Sequence, residues 1–222
     1  MRVAGLDATP RGWAVVLLEQ GRFAGAAAVR RLADAFALLH DADAVAADIP
    51  LAAPPRGVRE AEVAARRALG RRASTLFLTP PRAALAAASR AEATAIAREL
   101  GAPGVSAQAW ALRGRILEAE AFSADPRLIE AHPELSFAEM SGAPLAMPKH
   151  TWNGLAARLQ ALNAQGIAFP DAIGGSGGSL PPADLVDAAA AAWTAARWLR
   201  GLARPYPPSP PRDATGSGII WA

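Results

Sequence analysis

The sequence predicts an α/β domain built on one mixed sheet with helices on its faces. Short apolar runs near the N-terminus are separated by tight turns, as in an antiparallel meander. Beyond them, strand-like and helix-like segments alternate, and no internal repeat interrupts the pattern.

The first run, residues 3–7, is apolar and ends on Asp7, and the Ala-Thr-Pro-Arg-Gly stretch at 8–12 reads as a turn. Residues 13–18 form a second strand, Glu19-Gln20-Gly21 turns the chain, and residues 22–29 return as a third. Leu32, Ala35, Phe36 and Leu39 recur at helical spacing, so a helix is expected over 31–40. Residues 44–49 read as a buried strand, stopped by Pro50 and by Pro54-Pro55.

Residues from about 56 to 125 read as a mostly helical insert. Helices are expected over 59–69, 89–100 and 106–122, the first two halted by Gly70 and Gly101, with 74–81 extended or looped. A fifth strand covers 127–131, and Pro133 suits the first turn of a helix reaching about Met140. A helix over 153–163, a flexible Gly/Ser-rich loop over 173–179 and an Ala-rich helix over 183–202 follow. The expected organisation is a single five-stranded domain over 1–204 with a Pro-rich, extended tail over 205–222.

Composition narrows the function. The 222 residues are 52% hydrophobic and 19% charged, enough for a sizeable core and too apolar for general disorder. No apolar run approaches the roughly 20 residues that span a bilayer. Asp7 falls where a signal peptide needs its apolar stretch, so a cytoplasmic protein without membrane association is expected. Cysteine is absent, which excludes disulfides, thiolate nucleophiles and Cys-ligated zinc. The three histidines lie at no helical metal-ligand spacing, which excludes a zinc-protease motif. A metal site must then be built mainly from carboxylates, and such a site suits Mg²⁺ or Mn²⁺. The net charge of +3, nearly all arginine, fits an anionic partner and equally a coding bias.

Four acids stand out. Asp7 closes the first strand and Asp48 the fourth, each after residues that must be buried. If those strands are parallel neighbours, strand spacing brings the carboxylates within roughly 5 Å, where they repel unless a cation lies between them. Either acid alone could simply cap a turn. Asp184 and Asp187 share a helix face; Asp184 lies where capping explains it, whereas Asp187 lies one turn further in. Glu130 sits among apolar residues on a short strand, as a metal ligand or as the partner of an arginine from the insert. Arg71, Arg72 and Lys149, the only lysine, are candidate phosphate contacts. Ser74 and Thr75 could bond phosphate or cap a turn, Gln108 and Trp110 could contact a base, and His132 is expected to support the structure or the site from behind.

Several motifs occur in an order that resembles the DUF429 family of predicted ribonuclease H-like nucleases. They are Gly5-Leu6-Asp7 with Gly12-Trp13, Ala47-Asp48-Ile49-Pro50, Leu69-Gly70-Arg71-Arg72-Ala73-Ser74-Thr75-Leu76-Phe77 and Ser106-Ala107-Gln108-Ala109-Trp110. Glu130-Ala131-His132-Pro133-Glu134-Leu135-Ser136-Phe137, Lys149-His150-Thr151 and Asp184-Leu185-Val186-Asp187-Ala188 complete the set, so the likeness extends to about residue 202. The resemblance implies a ribonuclease H fold, with the meander continuing into parallel strands and the first and fourth strands adjacent. It also implies a nuclease in which Asp7, Asp48, Glu130 and Asp187 serve two divalent ions about 4 Å apart, Asp7 bridging both. Phosphodiester hydrolysis on a nucleic acid is the leading expectation, with DNA or RNA and the oligomeric state open. A non-catalytic nucleic-acid-binding module of the same fold is the alternative. An actin-like ATP-binding phosphotransferase, suggested by Gly5-Leu6-Asp7-Ala8-Thr9, is a weaker one, because the chain has room for a single copy of that subdomain.

Overall fold

The computed structural model describes residues 1–9, 11–209 and 218–222. The meander forms as expected: β1 (Arg2–Thr9), β2 (Gly12–Glu19) and β3 (Arg22–Val29) pair antiparallel in sequence order. Helix α1 (Leu32–Leu38) and strand β4 (Ala44–Asp48) follow, and β4 lies parallel to β1. The insert contains α2 (Glu60–Leu69), a 3-10 segment (Gly70–Thr75), the short α3 (Arg82–Leu85), α4 (Arg90–Glu99) and α5 (Ala107–Glu120). Ser89 and Ser106 start α4 and α5 by accepting backbone N–H bonds from Glu92 and Ala109. The 3-10 segment and α3 were not anticipated. After β5 (Leu128–Ala131) come α6 (Pro133–Ser141), α7 (Trp152–Ala164), a 3-10 turn (Gly175–Ser179) and α8 (Pro182–Leu199). Two short strands, β6 (Pro205–Tyr206) and β7 (Ile220–Trp221), end the chain.

The sheet has seven strands in the order β3-β2-β1-β4-β5-β7-β6, not five. The additional two come from the expected tail. Strand β7 lies parallel to β5 and pairs antiparallel with β6, and Arg204 and Ala222 exchange backbone hydrogen bonds. Tyr206, Ile220 and Ala222 are buried against Ala61, Ala65 and Leu69 of α2 and Leu135 of α6. That apolar contact docks both ends of the tail into the domain. Residues 210–217 of the tail, and Pro10 of the first expected turn, lie outside the described residues.

The Gly/Ser-rich loop is also not the free segment its composition suggested. Ser176 Oγ accepts from Ala28 N at 3.0 Å, and Gly177 packs on Ala26 so closely that a Cβ would strike its carbonyl. Small residues let the loop lie flat along β3, whose outer edge would otherwise offer unpaired backbone groups.

The two faces of the sheet carry separate cores. Leu6, Val15, Val45 and Ala47 pack with Leu32, Leu39 and Ile116 on one side. On the other, Val3, Val16, Ala44 and Ala46 meet α8 through Ala188, Ala189, Ala191, Ala192 and Ala195, all fully buried. Gly5 lies where α8 crosses β1, and a Cβ there would collide with Ala188 O and Ala192 N. The helix backbone thus rests directly on the strand. Gly5→Ala should lower the unfolding free energy by about 1–3 kcal/mol through overpacking. Gly25→Ala, where an added Cβ meets nothing within 4 Å, should leave it unchanged or higher; urea denaturation of both variants compares them.

Candidate functional site

Parallel pairing sets Asp7 and Asp48 as register partners at the carboxyl ends of β1 and β4. Neighbouring strands lie about 4.8 Å apart, so the two acids leave the sheet side by side. Asp187 sits in the second turn of α8, on the face laid against β1, and is 3% exposed. All three line one cavity of about 160 Å³, together with Asp184, Lys149 and His132. That volume admits several waters or a hydrated ion.

The electrostatics are those of crowded like charges. Asp7 is only 6% exposed, and its carboxylate accepts no hydrogen bond from any described residue. Burial, reinforced by Asp187 and Asp48, pushes its pKa well above the carboxylate range. Burial likewise raises Asp187, to about 6, against the opposing pull of the Lys149 ammonium. Lys149 Nζ donates to Asp187 Oδ2. Burial alone would lower the lysine's pKa, but attraction to Asp187 and Asp7 raises it, so the side chain stays charged. His132 Nδ1 donates to Asp48 Oδ1 at 3.1 Å. Burial of the imidazole is outweighed by that carboxylate, and its pKa rises.

Asp184, expected to cap α8, makes no cap hydrogen bond and lines the cavity with Asp187. Glu130 lines the same cavity but leaves the sheet by its other face. Alternation along β5 sets it in register with Ala47, on the Leu6 side of the sheet and opposite Asp7 and Asp48. There Arg59 NH1 and NH2 donate to its two oxygens at 2.8 and 2.6 Å, and Leu51 N donates at 3.0 Å. With both oxygens taken, Glu130 is the buried partner of an insert arginine, the second of the two roles expected for it. Arg59 also holds Glu62, whose pKa burial raises.

Two of the three expected phosphate contacts are engaged with acids. Arg72 NH2 reaches Glu134 Oε1 at 3.4 Å, and Lys149 faces Asp187; Arg71 is exposed. Thr75 and Gln108 line the cavity, whereas Trp110 lies under the Arg113 guanidinium, 4.0 Å from its ring centre. Sequence reasoning missed Glu134 and Arg158. Arg158 is fully buried and donates to Glu134 Oε1, and Glu134 is one of the charges acting on Asp187. Pro133 at the start of α6 made Glu134 look like an ordinary first-turn acid, and an amphipathic helix gives no sign that one arginine points inward.

The donor set suits a hard cation: three carboxylates, one of them buried without a hydrogen-bond partner among the described residues. As they stand, no three acid or histidine groups among the described residues are gathered closely enough to chelate one ion. Lys149 engages Asp187 instead.

A mixed sheet of this order, with acids at adjacent parallel strand ends and on the covering helix, defines an α/β protein consistent with the ribonuclease H-like fold. The chain belongs to a family described as a protein of unknown function (DUF429), whose family model matches residues 5–212. No curated protein and no solved structure matches the chain.

Removing the Glu130 charge leaves the buried Arg59 with less compensation, Glu62 remaining, so Glu130→Gln should cost up to about 3 kcal/mol in chemical denaturation. Binding of Mn²⁺, followed by calorimetry, should not change, because both Glu130 oxygens are already held by Arg59 and Leu51. The raised pKa of Asp187 means that the folded protein holds this proton more tightly than the unfolded chain. The associated stability is therefore present below about pH 4 and is lost as pH rises through about 6, a contribution of up to about 3 kcal/mol. Melting in chelator across that range should show the fall in wild type, and Asp187→Asn should flatten it.

Proposed function

We propose that the protein is a divalent-metal-dependent nuclease, in which Asp7, Asp48 and Asp187 hold Mg²⁺ or Mn²⁺ and phosphodiester bonds of a nucleic acid are hydrolysed. The observation that carries this reading is the Asp7 carboxylate, buried, unpartnered and flanked by two further aspartates at an open cavity. An isolated buried carboxylate is too costly to persist without a cation or a proton. A bound divalent ion supplies Lewis acidity to a phosphoryl oxygen and acidifies a water at neutral pH.

The chain's own residues do the rest. Asp7, which feels the charge of both Asp48 and Asp187, would be the ligand common to bound ions. His132 holds one oxygen of Asp48 and so sets the rotation of that carboxylate. Arg71, exposed on the 3-10 segment whose Thr75 lines the cavity, is a cation available to a phosphate. No helix among the described residues is long and apolar enough to cross a membrane, and we place the protein in the cytoplasm. The internal pairing of Lys149 with Asp187 favours a second reading, a nucleic-acid-binding module without turnover.

End-labelled single- and double-stranded DNA and RNA, incubated with Mg²⁺ or Mn²⁺, test the assignment. Wild type should cleave at least one substrate. Asp7→Asn should lose about 100-fold or more in rate and yet melt no lower in chelator, since it relieves carboxylate repulsion. Binding of nucleic acid without cleavage would select the module. Metal binding should weaken as pH falls below about 6, because a protonated Asp187 cannot ligate.

A further inference from the structure

Lys149 is the only lysine in a chain otherwise supplied with arginine, and it reaches into a group of acids that has no arginine partner among the described residues. Its ammonium touches Asp187 and is attracted by Asp7 and Asp48 as well. We propose that Lys149 is a built-in occupant of the cation site, neutralising the three aspartates when no divalent ion is bound and yielding its place when one enters. This depends on Asp7, Asp48 and Asp187 being the ligand set proposed above.

The turn that carries Lys149 is braced rather than loose. Pro148 O accepts from Thr151 N at 3.0 Å and from Thr151 Oγ1 at 2.8 Å. Met147 O accepts from the buried Arg158 at 3.1 Å, and Gly154 has no room for a Cβ because Pro148 O fills that space. The backbone on either side of Lys149 therefore holds its position, and the side chain alone must move. At 30% exposure it has a path outward. A four-carbon stem with a compact point charge can pivot in this way, whereas a planar guanidinium locked by two parallel hydrogen bonds, as in the Arg59–Glu130 pair, cannot do so easily. The contact turns one Asp187 oxygen to the ammonium. A site with its own tethered cation raises the metal concentration needed for loading, and each ion that enters releases a positive side chain toward the mouth, where an anionic substrate arrives.

Calorimetric titration with Mn²⁺ at neutral pH, on wild type, Lys149→Met, Lys149→Arg and Asp7→Asn, tests this alongside melting in chelator. Lys149→Met should bind Mn²⁺ roughly tenfold or more tightly than wild type, because a competing charge is gone. Its metal-free melting temperature should fall, and Mn²⁺ should raise it by more than it raises that of wild type. Lys149→Arg should bind Mn²⁺ no more tightly than wild type, and more weakly where the guanidinium yields less readily, which ties the gain in Lys149→Met to lost charge rather than to space. If Lys149→Met does not fold in chelator, Lys149→Gln is measured in its place. Equal or weaker binding by the neutral variant, with wild type binding and Asp7→Asn not binding, would overturn the role of Lys149 and leave the ligand set standing. Absence of Mn²⁺ binding by both folded wild type and the neutral variant would overturn both.

Discussion

Everything at the site depends on how closely α8 approaches β1. The absence of a side chain at Gly5 and the run of alanines facing it let the helix backbone rest on the strand. A wider gap would leave Asp187 above the cavity, hydrated and unremarkable. At this distance it is pressed against the acids at the ends of β1 and β4, in surroundings dry enough to raise its pKa to about 6. The same packing that builds the core on this face therefore concentrates negative charge at its rim, and cohesion and electrostatic tension share one contact.

Much of this was legible because it was local. Strand-end acids after apolar runs pointed to Asp7 and Asp48, and the parallel β1–β4 register brings them together. Asp187 stood out because it lay too deep in its helix for capping. Of the two readings open for Glu130, the arginine partner from the insert is the one formed, on a matter of parity: it occurs one residue before the end of β5, so its side chain leaves by the opposite face, toward Arg59. Counting from the apolar neighbours could have shown this had the register between β4 and β5 been known. The partners of Lys149, Arg158 and Arg72 were out of reach for a different reason. Each pairs with an acid between 24 and 62 residues away, and no spacing rule connects them.

The tail and the Gly/Ser loop show a limit of composition as a guide. Both sequences look unable to form a core, and neither needs to. The loop supplies backbone and one hydroxyl to the free edge of β3, and the tail supplies two short strands and a few buried apolar groups to the opposite margin. Low apolar content excludes a segment from nucleating structure, not from completing structure that the rest of the chain has already built.

The acids around the cavity divide into two kinds, and the division identifies the site. Glu130 and Glu62 are compensated by Arg59, and Glu134 by Arg158 and Arg72; the guanidinium groups are themselves wholly or largely buried and therefore permanent. Such pairs hold elements in register and have no charge left to offer a ligand. Among the described residues, Asp7, Asp48 and Asp187 have no arginine partner. They have a histidine on one oxygen, the Lys149 ammonium on another, and on Asp7 no hydrogen-bond donor. A fold able to bury three compensated glutamates around this cavity had the means to compensate three aspartates too. That they are left to one lysine, among the described residues, is what supports the proposal that they are held open for an ion from solution.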